Sequence, residues 1–323
     1  MTSTTSAVVT DETYTRHRQE LIGYCYRMLG SPLDAEDAVQ ETMLRAWRGR
    51  DAFAGRSSPR VWLFRIATNV CLDVLRQRPR REQPIDVTAA GDASRPLGEP
   101  DSGRWIAPAP SRWLLPPSDD PATAVIVHDS VQLAYVAALH CLSPMQRAVL
   151  ILRDVLQFAA HETAEFLGIT TASANGLLRR ARQRVAHRPT QPVTSAGLTE
   201  RQRVLLDRFV DAFQRQDIPA LTALLHEDAT LSMPPYGLWL AGRAEIERWF
   251  LRDPNPCRDG AAVPVEANGT PAFAIYHADP QGHVLRAFAI QLITISDDRI
   301  VAIDMHIQPQ LFGVFDLPTE LPA

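Results

Sequence analysis

The sequence predicts a multi-domain protein with two all-α units ahead of an α+β unit. Three observations carry this. Residues 11–81 and 122–187 repeat apolar side chains at helical spacing with few glycines and prolines. Between them, Glu82 to Pro121 holds eight prolines and reads as an extended linker. From Leu198 onward, helical patterns give way to β-type runs at 270–277, 284–296 and 299–307.

Bulk composition limits the classes. The 323 residues are 46% hydrophobic and 22% charged, as in globular proteins. No apolar run approaches a membrane span. The opening MTSTTSAVVTDETY has neither a basic start nor an apolar stretch, so a secretory signal is not expected and a cytoplasmic location is. Cys25, Cys71, Cys141 and Cys257 form no C-x-x-C pair, which fits free thiols in a reducing compartment. The net charge of −4 hides a split: residues 1–195 carry 23 Arg against 20 acids, and residues 196–323 carry 10 against 17. The two parts therefore have different partners. Lysine is absent, so every strong cation is a flat, bidentate guanidinium.

The first α unit centres on SPLDAEDAVQETMLRAWRG and RVWLFRIATNVCLDVLRQRPRR. Ser31 and Asp34 are N-cap types, with acids crowding the first turn. Ala38, Met43 with Val39, Ala46 and Trp47 form the expected buried side; Asp37, Gln40, Glu41 and Arg45 lie on a polar side that is either solvated or a docking face. On the next helix, Leu63, Ile66, Ala67, Val70 and Val74 share a core stripe. Trp62, Arg65, Asn69 and Arg76 fall opposite, and Arg78, Arg80 and Arg81 extend the basic tail. A plain core helix with a solvated Arg face explains this. So does binding of single-stranded DNA, where aromatics stack on bases and Arg tracks phosphates. Asp73 argues against a membrane-surface helix. In the linker, Trp105 and Trp113 are unusual for a disordered tether and are docking candidates.

The second α unit ends in AAHETAEFLGITTASANGLLRRARQRV. Val149, Leu150, Leu152 and Val155 suit one helix. Beyond it, small Ala164 stands where two helices cross, and Gly168 follows four residues later where a turn needs positive φ. A helix starting near Thr171 turns Ala174 and Leu177 inward and Thr171, Ser173, Asn175, Arg179, Arg180 and Arg182 outward. Hydroxyl, amide and guanidinium groups at a helix N-terminus suit major-groove readout; a helical hairpin without DNA is the alternative. Gly176 within this helix suggests close approach of another backbone.

Together these segments resemble bacterial sigma factors of the extracytoplasmic-function (ECF) type. DAEDAVQETMLRAW (34–47) is similar to their region 2.2, and WLFRIATNVCLDVLR (62–76) fits W-L-x-x-I-A-x-N-x-x-x-D-x-x-R of regions 2.3 and 2.4. LSPMQRAVLILRDVLQFAAHETAEFLGITTASANGLLRRARQRV resembles region 4. The resemblance implies a region 2 helical bundle over 12–82, a linker over 83–121 and a region 4 helix-turn-helix over 122–188. It implies core RNA polymerase and promoter DNA as partners, with no cofactor, metal or membrane. By position, Asp37, Gln40 and Glu41 would face the clamp helices of polymerase. The loop from Phe53 through Arg56, Ser57 and Ser58 would capture a flipped −10 base. Trp62, Arg65, Asn69 and Arg76 would lie near the melted strand, Trp62 being either a stacking plate or a core wedge. Thr171, Ser173, Asn175, Arg179, Arg180 and Arg182 would meet the −35 duplex. Met43, Pro59 in the capture loop and Ala174 depart from the usual pattern.

The acidic remainder opens with Thr199 and Gln202 at capping-box spacing, then an apolar stripe of Leu205, Phe209, Ala212 and Phe213. A second helix, a short strand, a Pro turn and a third helix precede the β runs, which suggest an antiparallel meander. The DATLSMPP…WxxGRxxI pattern (228–246) resembles the SnoaL-like cone fold, over 197–316. This implies a built-in regulator with a possible small ligand. Tyr236, Trp239, His277, Asp304 and His306 are the expected pocket lining. Proton transfer by a carboxylate in an apolar cavity is one use; ordinary strand residues are the other, and no enzyme activity is expected. A helix-turn-helix regulator with a ligand-sensing domain, or a cone-fold isomerase or cyclase fused to a DNA-binding module, are the alternative architectures.

Overall fold

Helix α1 (Asp11–Leu29) is the spine of the N-terminal bundle, with Leu21, Ile22, Tyr24, Cys25, Tyr26, Met28 and Leu29 all buried. It packs on α2 (Pro32–Gly49) and α3 (Pro59–Gln77). The computed structural model describes residues 11–50, 53, 57–78, 80–114, 132–186, 195–252, 260–279 and 282–322. They fall into two units: Met1–Arg81 with Arg112–Pro189, and Glu82–Ser111 with Thr190–Ala323.

Local chemistry sets the helix starts. Ser31 Oγ accepts the Asp34 amide at 3.3 Å and Pro32 occupies the first turn. Ser58 Oγ caps α3 through the Val61 amide, 3.3 Å away, and Pro59 follows it. Pro59 is thus no loop oddity. It sits where a missing N–H costs nothing and a fixed φ suits the helix. The buried stripe of α3 is turned from the expected one: Val61, Phe64 and Cys71 join Leu63, Ala67 and Val70, while Ile66 and Val74 are half-buried. Between α1 and α3, Tyr24 Oη and Thr68 Oγ1 are 2.8 Å apart. Cys25 and Cys71 are buried free thiols, and burial pushes the Cys71 thiol up.

In the same unit, α4 (Leu133–His140) leads to α5 (Pro144–Leu150), which Ser143 and Gln146 start with a reciprocal capping box. Residues Ile151–Val155 continue α5 as a π-helical turn. Helices α6 (Ala160–Leu167) and α7 (Thr171–Val185) form the helix-turn-helix, with Gly168 left-handed at φ 62°. Ala164 and Ala174 are buried as expected. The partners of Ala174 on the core side are Leu178 and Ala181, not Leu177, which is half-buried. Around a Cβ on Gly176 only the Arg180 guanidinium lies within 4 Å, at 3.6 Å, so no backbone approaches there.

The second unit packs α8 (Glu200–Gln214), α9 (Ile218–Thr222) and α10 (Arg243–Leu251) on a curved sheet. The capping box of Thr199 and Gln202 is present, and Leu205, Phe209, Ala212 and Phe213 are buried. The strands are β1 (Leu225–Ser232), β2 (Trp239–Ala241), β3 (Gly260–Ala267), β4 (Thr270–Ala278), β5 (Val284–Ser296), β6 (Arg299–His306) and β7 (Glu320–Pro322). Their order is β2-β1-β6-β5-β4-β3, with β7 on β5. β1 pairs β6 in parallel, so the sheet is mixed rather than a pure antiparallel meander. Short helix α11 (Leu311–Val314) follows β6 and brings Phe312 against Tyr276, ring centroids 5.0 Å apart.

The Pro-rich stretch is not a free linker over 82–111; this part belongs to the second unit. Glu82 and Trp105 pair as a parallel bridge, Gly91 bridges Leu240, and Pro110 bridges Ala267. Trp105 is 2% exposed, its Nε1 donating to Pro235 O at 2.7 Å. Trp239 Nε1 donates to Thr88 O at 3.0 Å, and the Ala93 amide to Glu245 Oε2 at 3.0 Å. Asn268 holds Ala109 from both sides through its amide and its Oδ1. Proline leaves such a segment extended, and Trp105, Ile106, Ala107 and Ala109 supply the apolar area that docks it. Trp113 goes the other way, its neighbour Arg112 O accepting from Gln19 Nε2 of α1 at 2.7 Å.

Candidate nucleic-acid and polymerase interfaces

Helix α2 turns a mixed face outward. Asp37 and Gln40 are exposed and Glu41 half-buried. Leu33, Leu44 and Trp47 are exposed with them, Trp47 at 56% under the Arg50 guanidinium, 4.5 Å above its ring. The expected inward Trp47 is therefore corrected. Small Ala46 fills the core position and leaves the indole outside. Spacings of four and three residues place Leu33, Asp37, Gln40, Leu44 and Trp47 in one stripe. The exposed leucines were missed in the sequence; an a/d-like spacing on the polar side was the available signal. Beside this stripe, Glu41 accepts from Arg45 Nε at 2.6 Å, and Arg45 reaches Asp73 Oδ2 at 3.3 Å. These groups line a groove of about 260 Å³ between α2 and α3 with Asp34, Asp37 and Arg78.

The expected −10 residues gather around α3. Phe53 and Trp62 are both half-buried, their rings tilted with centroids 5.0 Å apart. Ser58 is committed as the α3 cap, and Ser57 is half-buried beside it. Arg56 lies outside the described residues. Arg65, Asn69 and Arg76 are exposed. Arg65 pairs with Glu165 at 3.6 Å, and Arg76 with Asp73 at 2.6 Å.

On α7, Thr171, Ser173, Asn175, Arg179, Arg180 and Arg182 are all exposed. The α7 cap is Thr170, whose Oγ1 accepts the Ser173 amide at 3.1 Å and lies 2.9 Å from the Ser173 hydroxyl. Arg182 makes a bidentate pair with Asp154, at 2.6 and 2.9 Å. That carboxylate raises the Arg182 pKa further and fixes the guanidinium at the helix surface.

The five expected pocket residues do not converge. Leu231, Met233, Ile303 and Met305 face the helices, so the alternating Ser232, Asp304 and His306 face away. Trp239 pairs Ser232 and shares that outer face. Ser232 Oγ donates to Asp304 Oδ1 at 2.6 Å, while burial raises the Asp304 pKa. His306 is buried with neither ring nitrogen paired, and its pKa falls to about 3. His277 stands apart, stacked on Phe288 at 3.7 Å, and burial lowers it to about 4. Tyr236 is half-buried in the turn after β1. On the helix-facing side, Gln291 is fully buried among Phe273 and Met305 with its amide unpaired. Among the described residues no His, Cys, Asp and Glu cluster could hold a metal, and no helix is long and apolar enough to cross a membrane.

Family models for Sigma-70 region 2 and Sigma-70 region 4 match residues 13–81 and 132–185. A SnoaL-like domain model matches 206–303. ECF RNA polymerase sigma factor SigG of Mycobacterium tuberculosis is 40% identical over 316 residues, covering 94% of this chain and 83% of SigG. The chain belongs to the ECF sigma factors. ECF sigma factor SigJ of the same species is 31% identical over 215 residues, covering 67% of this chain and 62% of SigJ. The crystal structure of M. tuberculosis SigJ superposes with a TM-score of 0.60 over 96% of this chain and all of that one; at 23% identity this shows a shared fold. Helical sigma regions followed by a SnoaL-like sheet domain are thus the architecture of this ECF sigma factor.

Proposed function

We propose that this ECF sigma factor works in the cytoplasm. There it binds core RNA polymerase through α2, captures the −10 element around α3 and reads the −35 duplex with α7. The observation that carries this is the exposure of all six predicted α7 residues on a capped helix-turn-helix, with membership of the family. The Leu33–Trp47 stripe supports the polymerase face, because exposed Leu and Trp beside acids suit a partner helix. Arg65, Asn69 and Arg76 supply cations and an amide for a melted strand. The Phe53–Trp62 pair lies at the capture loop, which favours stacking over a core wedge for Trp62.

The SnoaL-like domain serves as a regulator rather than an enzyme. Asp304, His306 and Trp239 share one sheet face while His277 lies on the other, so the candidate groups are not gathered around one cavity. A small ligand on this domain is compatible with the unpaired Gln291 amide. Run-off transcription with core polymerase on genomic fragments tests the whole reading. Core-dependent transcripts from defined start sites are expected. Duplex binding with no core-dependent initiation returns the chain to a plain helix-turn-helix regulator.

A further inference from the structure

The helix-facing side of the curved sheet is built mainly from apolar side chains, yet Gln291 of β5 sits within it. Gln291 is 0% exposed, and neither its amide nitrogen nor its oxygen has a hydrogen-bond partner. Its strand neighbours are Phe273 on β4 and Met305 on β6, and Ala289 and Ile293 flank it on the same face of β5. Phe209 of α8 stacks on Phe273, ring centroids 6.2 Å apart. Buried amides in folded proteins are paired almost without exception, because an unmade bond is expensive. A donor and an acceptor held side by side in this apolar setting therefore mark a place for a partner from outside the chain.

The same side has a second polar end. Ile275 and His277 follow Phe273 at two-residue intervals on β4, so all three face the helices. His277 lies about 13 Å along the strand from Phe273, the residue opposite Gln291. Its Nε2 is buried without a partner. The register of β4 with β5 shifts between Ile275 and Tyr276, which leaves Phe288 as a bulge residue. The bulge turns Phe288 onto His277, ring centroids 3.7 Å apart. Both rings are half-buried, whereas Gln291 is sealed from solvent. Across the strands, Ala262, Pro264 and Ala289 complete the interval, and none carries a charge. Burial lowers the His277 pKa to about 4, so its ring is neutral at pH 7.

We propose that the helix-facing side of this sheet binds an uncharged, largely apolar molecule whose amide-like end pairs with Gln291 and whose far end reaches His277. This deepens the regulator reading above by naming the class of ligand. The chemistry follows from the donors and acceptors. Gln291 offers an NH2 donor beside a carbonyl acceptor, so its complement places an acceptor beside a donor, as a primary amide, lactam or imide does. An ionised group is disfavoured, because the interval holds no charged side chain to pair it. Phe273, Ile275 and Phe288 call for an apolar body about 10 Å long. His277 presents one free ring nitrogen, so the far end makes a single hydrogen bond.

The test uses the full-length protein and three para-substituted probes of one shape: biphenyl carboxamide, acetylbiphenyl and ethylbiphenyl. Calorimetric titration at pH 7 gives affinities, and thermal melts give the midpoint of the second unit. The amide is expected to bind about tenfold more tightly than the ketone, and the ketone more tightly than the hydrocarbon. A hydroxyl at the far para position of the amide probe adds about threefold, and His277→Phe abolishes that gain while keeping the ring stack. Gln291→Leu removes an unpaired amide, so it raises the ligand-free midpoint by about 3 °C and reverses the order of the probes. Equal affinities of the three probes for the wild type overturn the site, as does no binding of the amide at millimolar concentration; neither result depends on a variant. A lower midpoint for ligand-free Gln291→Leu also overturns it, because the amide is then satisfied by buried water alone. Run-off transcription with core polymerase and saturating amide probe separates the two readings. Binding with unchanged transcript yield keeps the site and overturns the regulator role instead.

Discussion

Trp105→Ala is expected to destabilise the SnoaL-like unit, although the residue lies in the segment of chain that joins the two sigma regions. The ring is buried against the turn that follows β1, near Gly237. Removing a buried Trp side chain costs about 3–5 kcal/mol. Its Nε1 bond to Pro235 O is one part of this, about 1 kcal/mol, because the same carbonyl keeps the Asp101 amide at 2.9 Å and is not left bare. Trp105→Phe should therefore lose only the smaller share. For a unit of this size, a loss of about 4 kcal/mol lowers the midpoint by roughly 10 °C. Calorimetry of the full-length protein checks it: the transition of the second unit falls and that of the first does not. Protease cutting within 82–111 rises in parallel. A loss under ~1 kcal/mol, or a fall in the first unit's transition instead, refutes the docking of this segment as part of the SnoaL-like fold.

Buried charge and the DNA faces carry the remaining predictions. Arg147→Ala removes a guanidinium that burial lowers to about 9 and that binds Leu139 O at 3.0 Å and His140 O at 3.3 Å; leaving such buried carbonyls unpaired should cost about 1–3 kcal/mol each in denaturant unfolding of the first unit. His277 and His306 titrate near 4 and 3 when folded against 6.5 when free, so the unfolded chain takes up protons first. Their contribution is intact above pH 6.5 and lost as pH falls toward 4, about 2 kcal/mol each at pH 5; His306→Gln should flatten the acid limb of a stability–pH curve. Asp304 runs oppositely, its raised pKa making it most favourable below 3.8 and costly as pH rises, so Asp304→Asn should stabilise the unit at pH 7. Asp154→Asn frees the Arg182 guanidinium and should alter −35 duplex affinity and its salt slope without moving the melting midpoint by more than ~1 kcal/mol equivalent.

The caps at Ser31 and Thr199 were legible because each is written locally, whereas Ser58 was read as part of a loop although the Pro59 after it marks a helix start. The α7 face was legible for the same reason, since a left-handed Gly168 fixes the turn and the turn fixes the outward set. What failed depended on long-range pairing. The strap over 82–111 looked unstructured because prolines hide its partners, which are Pro235, Trp239, Glu245 and Asn268 more than a hundred residues away. The pocket failed on register: Asp304 and His306 were grouped with His277 by residue type, whereas one strand period decides which face each takes. The same distinction explains why Arg65 reads as a free strand-binding cation in sequence and as half of an ion pair in the fold. Its partner Glu165 lies in the other DNA-binding module, and no local pattern couples them. The faces proposed for partners are thus written locally, whereas the contacts that hold distant segments together are not.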